Sequence, residues 1–537
     1  MQHCLRRARR PWRAFACAVL AGAVVACGGG GSGGSNPPDD GGGQTHPESA
    51  FLLAEFVATD TNGQFIRVWD PAHPEVAIQQ VQIAKVNGIV WQSSHLMFSD
   101  ATSYDAATRS VRTLGHAKAF FDSGGQVWAI DLRGGKSHAP VQVSSVADAT
   151  IVKRVWPVDA AGDDAWLEVD GGLHGWAVRA SMTPDTPAVS IADIPAVLRD
   201  GTGLPQYFLV GLGGRSGTDV RAITYEVRTL DFKTVPISAL ATMDDVDRDA
   251  WLGADPKRDG LAYIRLDGEV RALRWSASGA SVDADSVMTL GDPIELTAAT
   301  VGADAVYIGD GPAVLALSDG VATPLGVLAN AARVLVDAGA YVAAAEFDFR
   351  QDPTVCCNVI EGLRKADGHV APLAAAEQLD LLGATGDRVV FAEGPVADGA
   401  RGFTLVAGDG SGRLDVPGTW VALVRADTAG VDQAAPPTAL LTCPTASDRA
   451  GFCSAGALTQ VDIASGTSTS LGTLAPERMR MQAPGRDAVA GLPYELAGET
   501  MIDSPEGFGW GDTDKRDAWQ FTPGQAGSLA RVTTNVP

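Results

Sequence analysis

Histidine and cysteine are scarce in this chain, eight and seven among 537 residues, and the few present do not cluster. Beyond the first residues the histidines are His46, His73, His95, His116, His138, His174 and His369. None are paired at a metal-ligand spacing and the HExxH pattern is missing, so no metal site is expected. No phosphate-binding loop and no dinucleotide-binding glycine fingerprint follows a strand pattern. The nucleophile-elbow pattern G-x-S-x-G occurs only around Ser32, in a glycine-rich stretch with no regular element to hold it. Gly214-Arg215-Ser216-Gly217 and Gly410-Ser411-Gly412 have the composition of turns. No catalytic residue and no cofactor is therefore assigned. Positive charge is short as well: 41 Lys and Arg stand against 64 Asp and Glu, a net of −23. Such a field repels nucleic acid and anionic headgroups, which argues against DNA or RNA as partner. Past the N-terminal region no apolar run is long enough to span a bilayer as a helix.

What is present begins with Arg6, Arg7, Arg9, Arg10 and Arg13, followed by the uncharged apolar run from Ala14 to Ala26. Thirteen helical residues reach about 20 Å, short of a hydrocarbon core of about 30 Å, so the run has the dimensions of a signal-peptide core rather than a membrane span. It ends in Val24-Val25-Ala26-Cys27, which resembles the lipobox of bacterial lipoproteins. The resemblance implies cleavage after Ala26, lipidation of Cys27, with palmitate among the acyl groups, and anchoring in the cell envelope. An ordinary secretory signal with a chance cysteine is the alternative. Arg9-Arg10-Pro11-Trp12 suggests twin-arginine export, but Arg13 interrupts that pattern. A glycine rather than an aspartate follows the cysteine, which by the same resemblance implies the outer membrane. Loss of the five arginines would carry the mature charge to about −28. Residues 27–48, rich in Gly, Ser and Pro, have the composition of a flexible tether reaching on the order of 25 Å. The expected organisation is a signal peptide at 1–26, this tether at 27–48 and a body at 49–537.

Four cysteines remain in the body: Cys356, Cys357, Cys443 and Cys453. An even number in an oxidising compartment suggests disulfides, with three connectivities possible. The favoured bridge is Cys443–Cys453, because Leu440-Leu441-Thr442 and Gly451-Phe452 look like strand ends flanking a polar loop. Cys356 and Cys357 would then form a vicinal pair or stay reduced.

The body has the pattern of short strands and tight turns. Asn62-Gly63, Asp170-Gly171, Asp267-Gly268, Asp319-Gly320, Asp367-Gly368 and Asp409-Gly410 accept the positive φ angles that two-residue hairpins require. Around Tyr263 to Ala272, Ile264 and Leu266 fall on one face and Arg265 and Asp267 on the other, a period of two. Residues 329–347 are the one tempting helix, although strands fit as well and Gly339 interrupts the run. Imperfect repeats organise the whole. Tyr104 to Gly115 matches Val461 to Gly472 without a gap, and Val68-Trp69-Asp70-Pro71 resembles a third start. Each copy resembles the outer hairpin of a β-propeller blade. Apolar strands recur at Gln126–Ile130, Asp164–Leu167, Ala305–Ile308 and Arg388–Phe391, and Asp-Ala-Trp recurs at Asp164, Asp249 and Asp517. Spacings of about 35 to 55 residues are those of one blade per repeat. The expected fold is all-β, a propeller of seven to eight blades closed by the C-terminal Trp519-Gln520-Phe521 and Leu529–Val532 completing the blade begun near Phe51. Two smaller β domains with a break near Asp432 to Pro437 are the alternative.

Two acidic loops, Asp245 to Asp249 and Asp512 to Asp517, begin like calcium loops. The first lacks the glycine and glutamate an EF-hand needs, having Ala250 and Pro256 there, and both are expected to be solvated turns. Trp128, Trp166, Trp251 and Trp519 fit repeated packing between blades, whereas Trp91, Trp176, Trp420 and Trp510 fall near loops and are candidates for a binding mouth. The ordered signature of tryptophan-docking quinoprotein repeats does not recur, so no quinone is implied. Lipobox and repeats together resemble the propeller lipoproteins of bacterial envelopes, such as the propeller subunit of the outer-membrane protein assembly machine. That resemblance transfers no functional residue. Repeats without a catalytic signature point instead to a membrane-tethered module that binds protein, peptide or glycan; an envelope hydrolase or lyase with its site in the funnel is the alternative.

Overall fold

A computed structural model describes residues 49–532, with interruptions of which the longest are 86–95, 180–188, 191–206, 237–250, 349–356, 394–401 and 501–515. Cys27 and the tether lie outside the described residues, as do Cys356, Trp91, Trp510, the acidic loop 245–249 and most of the loop 512–517. Among the described residues there is no helix, and the strands form eleven sheets, one of them a two-stranded hairpin. Five of the eleven sheets are four-stranded antiparallel meanders in chain order: residues 149–190, 251–289, 299–327, 332–376 and 379–416. The first sheet, 53–85, has three strands, and two larger sheets gather the chain from 419 to 532.

The tempting helix is a hairpin. Ala332–Ala338 pairs with Tyr341–Asp348, and Gly339 turns the chain at φ +62°. At Asp319-Gly320 both residues have positive φ, 55° and 79°, as a two-residue hairpin turn demands. The ungapped repeat is also real in three dimensions. Met97–Asp105 pairs with Ser110–Ser123, and Gly456–Asp462 pairs with Ser468–Leu474. Gly115 and Gly472 end the two copies at φ +155° and +154°, and each lies so close to a neighbouring side chain that a Cβ would collide, with Phe51 in one and Leu529 in the other. The copies do not occupy equivalent places, however. The first supplies the opening two strands of its sheet and the second the last pair in the 419–474 meander. A period-two pattern specifies a hairpin but not its position in a sheet.

Apolar clusters lie between consecutive sheets rather than in one central core. Leu252, Tyr263 and Val270 of the 251–289 sheet pack with Val306 and Ile308 of the next. Tyr307, Leu335, Val342 and Leu363 join the following pair, and Ala343, Ile360, Val389 and Phe391 the one after. A small cluster of Leu53, Trp69 and Val532 joins the first sheet to the last. There Trp69 Nε1 donates to Gln520 Oε1 at 2.6 Å, and Gln520 Nε2 donates to the Pro71 carbonyl at 2.6 Å. Trp519 to Phe521 and Ala530 to Val532 do not complete the sheet begun near Phe51. They pair within the 445–532 sheet and only abut the first.

Packing on both faces explains why alternation fades in the second strands. Leu261 to Arg265 are buried without a break, so Arg265, assigned to the outer face by its period, is only 4% exposed. The last strand of a sheet meets solvent instead: in Val321–Val327, Val321 and Val327 are 60% and 64% exposed. Polar turns fasten neighbouring sheets as well. Tyr263 donates to Asp255 at 2.7 Å, while Asp319 N and Gly320 N of the next sheet donate to Asp255 and to the Tyr263 hydroxyl at 2.7 and 2.9 Å. One sheet further on, Tyr307 bonds Asp304, and Lys365 of the following sheet reaches Asp304 at 3.2 Å and lies over the Tyr307 ring. Residues Glu48–Pro537 make one unit, and pairing crosses the suspected break, Arg425 opposite Pro437.

Candidate binding cleft

Three segments distant in sequence meet at a cleft: residues 51–53, 113–116, and Val489 with 492–494. The first is stitched in place at its start. Ser49 N donates to Asp70 at 3.0 Å, Leu52 N to the Leu132 carbonyl at 2.7 Å, and Gly134 N to the Ala50 carbonyl at 3.0 Å. The second segment belongs to the long strand Ser110–Ser123. Its pairing with Met97–Asp105 shifts register on either side of Asp100, and the irregularity sets Asp100 directly across from His116. Gly115 lets the Phe51 ring lie against the backbone. The third is held by Ala488–Val489, which runs parallel to Val424–Arg425, and by Ala490 N donating to the Arg425 carbonyl at 2.9 Å. Tyr494 closes it, buried against Phe521 with ring centroids 5.5 Å apart.

The lining is Phe51, Leu52, Leu53, Thr113, Leu114, Gly115, His116, Val489, Leu492, Pro493 and Tyr494. It contains no Asp, Glu, Lys or Arg, although the chain carries a net charge of −23. It therefore offers an apolar surface with few directional groups. Leu114 is 42% exposed, whereas Leu471, its counterpart in the repeat, is fully buried. His116 supplies the directional chemistry. It is buried, its ring lies 4.5 Å from that of Phe98, and its Nδ1 bonds the Asp100 carboxylate. A carboxylate accepts, so the Nδ1 that faces Asp100 is the donor of this pair.

The remaining sequence candidates lie elsewhere. Cys443 and Cys453 are joined by a disulfide, Cα atoms 5.4 Å apart, linking strands of two sheets within the cluster that holds Tyr494 and Trp519. Cys357 begins a strand far along the chain. His138 bonds the Asp131 carbonyl at 2.9 Å, and His369 is exposed. Among the described residues no three His, Cys, Asp or Glu side chains are grouped to hold a metal. Trp176 and Trp420, expected near loops, lie in the strands His174–Arg179 and Thr419–Arg425. Trp128 is half-buried with Nε1 donating to the Ser123 carbonyl at 3.2 Å, and Trp519 is buried. The Asp100–His116 pair was missed because sixteen residues and a strand irregularity separate the partners. Only the hairpin register could have aligned them.

No protein-family model matches the chain, and no curated protein matches it. Solved structures similar to it include an oligogalacturonate lyase in complex with manganese, at 13% identity and TM-score 0.29, covering 72% of this chain and 86% of that one. Dipeptidyl peptidase 4 of Porphyromonas gingivalis is 11% identical, with TM-score 0.33 and coverage of 82% and 61%. AztD of Citrobacter koseri is 9% identical, with TM-score 0.28 and coverage of 72% and 96%. Likeness at this level carries no activity, ligand or residue role to this chain.

Proposed function

We propose that the chain is a lipoprotein anchored in the outer membrane through Cys27, whose β body is a propeller that binds a protein, peptide or glycan ligand at the cleft around Leu114 and His116. The observation that carries this reading is a lining free of charged side chains in a strongly acidic protein, with Leu114 exposed where its repeat counterpart is core. A closed ring is supported by apolar clusters between successive sheets and by the contact of Leu53 and Trp69 with Val532. Seven to eight blades, as the repeat spacing suggests, would have some of the small sheets share a blade.

The test is a peptide and glycan array probed with the full chain in detergent, as wild type, Leu114→Lys and Val321→Lys. Retention of one ligand class by the wild type and by Val321→Lys, with loss in Leu114→Lys, is expected. Binding that survives Leu114→Lys, or no binding at all, refutes the cleft as seat. The Asp100–His116 pair favours one second reading, an envelope hydrolase or lyase in which His116 Nε2 acts as base. Carbohydrate cleavage that disappears in His116→Gln would establish it.

A further inference from the structure

Between the sheets at 299–327 and 332–376 the chain passes through a short connector, residues 329–331, and two glutamates of the second sheet hold it. Ala329 N donates to Glu361 Oε2 at 3.3 Å, and Asn330 N donates to Glu346 Oε2 at 2.6 Å. Glu346 lies on Tyr341–Asp348 opposite Val359, and Glu361 lies two residues along Cys357–Arg364, opposite Ala344. The two side chains are thus diagonal neighbours on one face of an antiparallel pair, close enough to interact. They accept from the N–H groups of consecutive residues, which brings the two carboxyls together at the connector. Glu346 is 2% exposed, and its Oε1 is buried with no donor. On the other side the strand Ala332–Ala338 brings Ala332 opposite Glu346, and the adjacent Arg333 is exposed. Glu361 is thus the carboxylate diagonal to Glu346 on this face, and Asn330 of the connector donates to Glu346.

Two ionised carboxylates have only lone pairs to present to each other, and burial removes the water that would separate them. We propose that Glu346 and Glu361 share one proton and thereby form a pH-operated latch on the connector between the two sheets. With the proton in place, one carboxyl donates to the other and both backbone N–H groups of the connector keep their acceptors. When the proton leaves to solvent, the two carboxylates repel and the connector loses its fixed acceptors. Burial first, then the hydrogen bond and charge of Glu361, push Glu346 up to about 8, which puts the opening on the alkaline side of neutrality. Nothing in this latch depends on the binding cleft.

Hydrogen exchange of the full chain, read on the peptide spanning 329–331 between pH 6 and 9 and corrected for the intrinsic rate, tests it. Protection in the wild type should fall at least about tenfold relative to the neighbouring strands, the equivalent of one pKa unit of coupling. Glu346→Gln, which keeps an amide donor towards Glu361, should show no such fall. Carboxyl carbon shifts of labelled glutamate in the wild type provide a second readout that needs no variant. One carboxyl should remain protonated at pH 6 and ionise by pH 9. Flat wild-type protection, or the absence of any glutamate that titrates in that range, would overturn the latch.

Discussion

Replacing Gly472 by alanine should destabilise the body by about 2–6 kcal/mol, in two parts. Its φ of +154° is a conformation that residues with a Cβ rarely adopt, which costs about 1–3 kcal/mol. The added Cβ would also stand 2.5 Å from Leu529 Cβ. No rotamer change moves that atom, and Leu529 N is fixed by its bond to the Leu471 carbonyl at 2.8 Å. Forced overpacking of this kind costs about a further 1–3 kcal/mol. In a unit of about 490 residues the unfolding entropy is about 1 kcal/mol per kelvin, so the midpoint should drop by about 2–6 °C. Differential scanning calorimetry of the detergent-solubilised chain reads that shift. A Leu529→Gly background removes the colliding atom but not the backbone strain, so the cost of Gly472→Ala should there fall by roughly half. A midpoint unchanged in Gly472→Ala would refute both the register of the 456–474 hairpin and its contact with the C-terminal segment.

Gly115→Ala meets Phe51 in the same way, with Cγ 2.4 Å from the new Cβ. It should weaken ligand retention on the array because Phe51 lines the cleft. Tyr263→Phe leaves Gly320 N without its acceptor and Asp255 without one donor, an expected loss of about 1–3 kcal/mol in denaturant titration. Opening the Cys443–Cys453 bridge by Cys453→Ser frees a loop of separation 10 and should cost about 2–3 kcal/mol by the chain-entropy relation, seen as a lower melting midpoint under non-reducing conditions. Stability should also depend on pH through Glu346. Its folded pKa, about 8, lies above its ordinary value of 4.5, so the folded state holds the extra proton. The resulting stabilisation is fully present below about pH 4.5 and is lost as pH rises through about 8. Melting midpoints of Glu346→Gln measured at pH 5, 7 and 9 should decline less with pH than those of the wild type; parallel declines would remove the pair as the cause.

Local structure was legible where a single residue type settles it. Asp319-Gly320 marks its hairpin because few residue pairs tolerate two positive φ angles. Gly339 marks the break in what might have been a helix, and the match of Gly115 with Gly472 carries a shared backbone conformation. Burial was less legible, because strands packed on both faces no longer alternate. Arg265 has the period of a solvent-facing residue but is buried. The cleft was the least legible feature. Its segments at 51–53, 113–116 and 489–494 are far apart in the chain, and Asp100 meets His116 only through a register shift that no local pattern encodes. The same holds for Glu346 and Glu361, which become neighbours once two strands pair.

The proposed binding role requires a scaffold in which the sheets pass around a common axis. Electron cryo-microscopy of the full chain in detergent would decide whether they do. Sheets arranged about an axis, with Trp69 of the first seated on Gln520 of the last, are the predicted result. An open arc of sheets, or two separate bodies divided near residue 432, would contradict it.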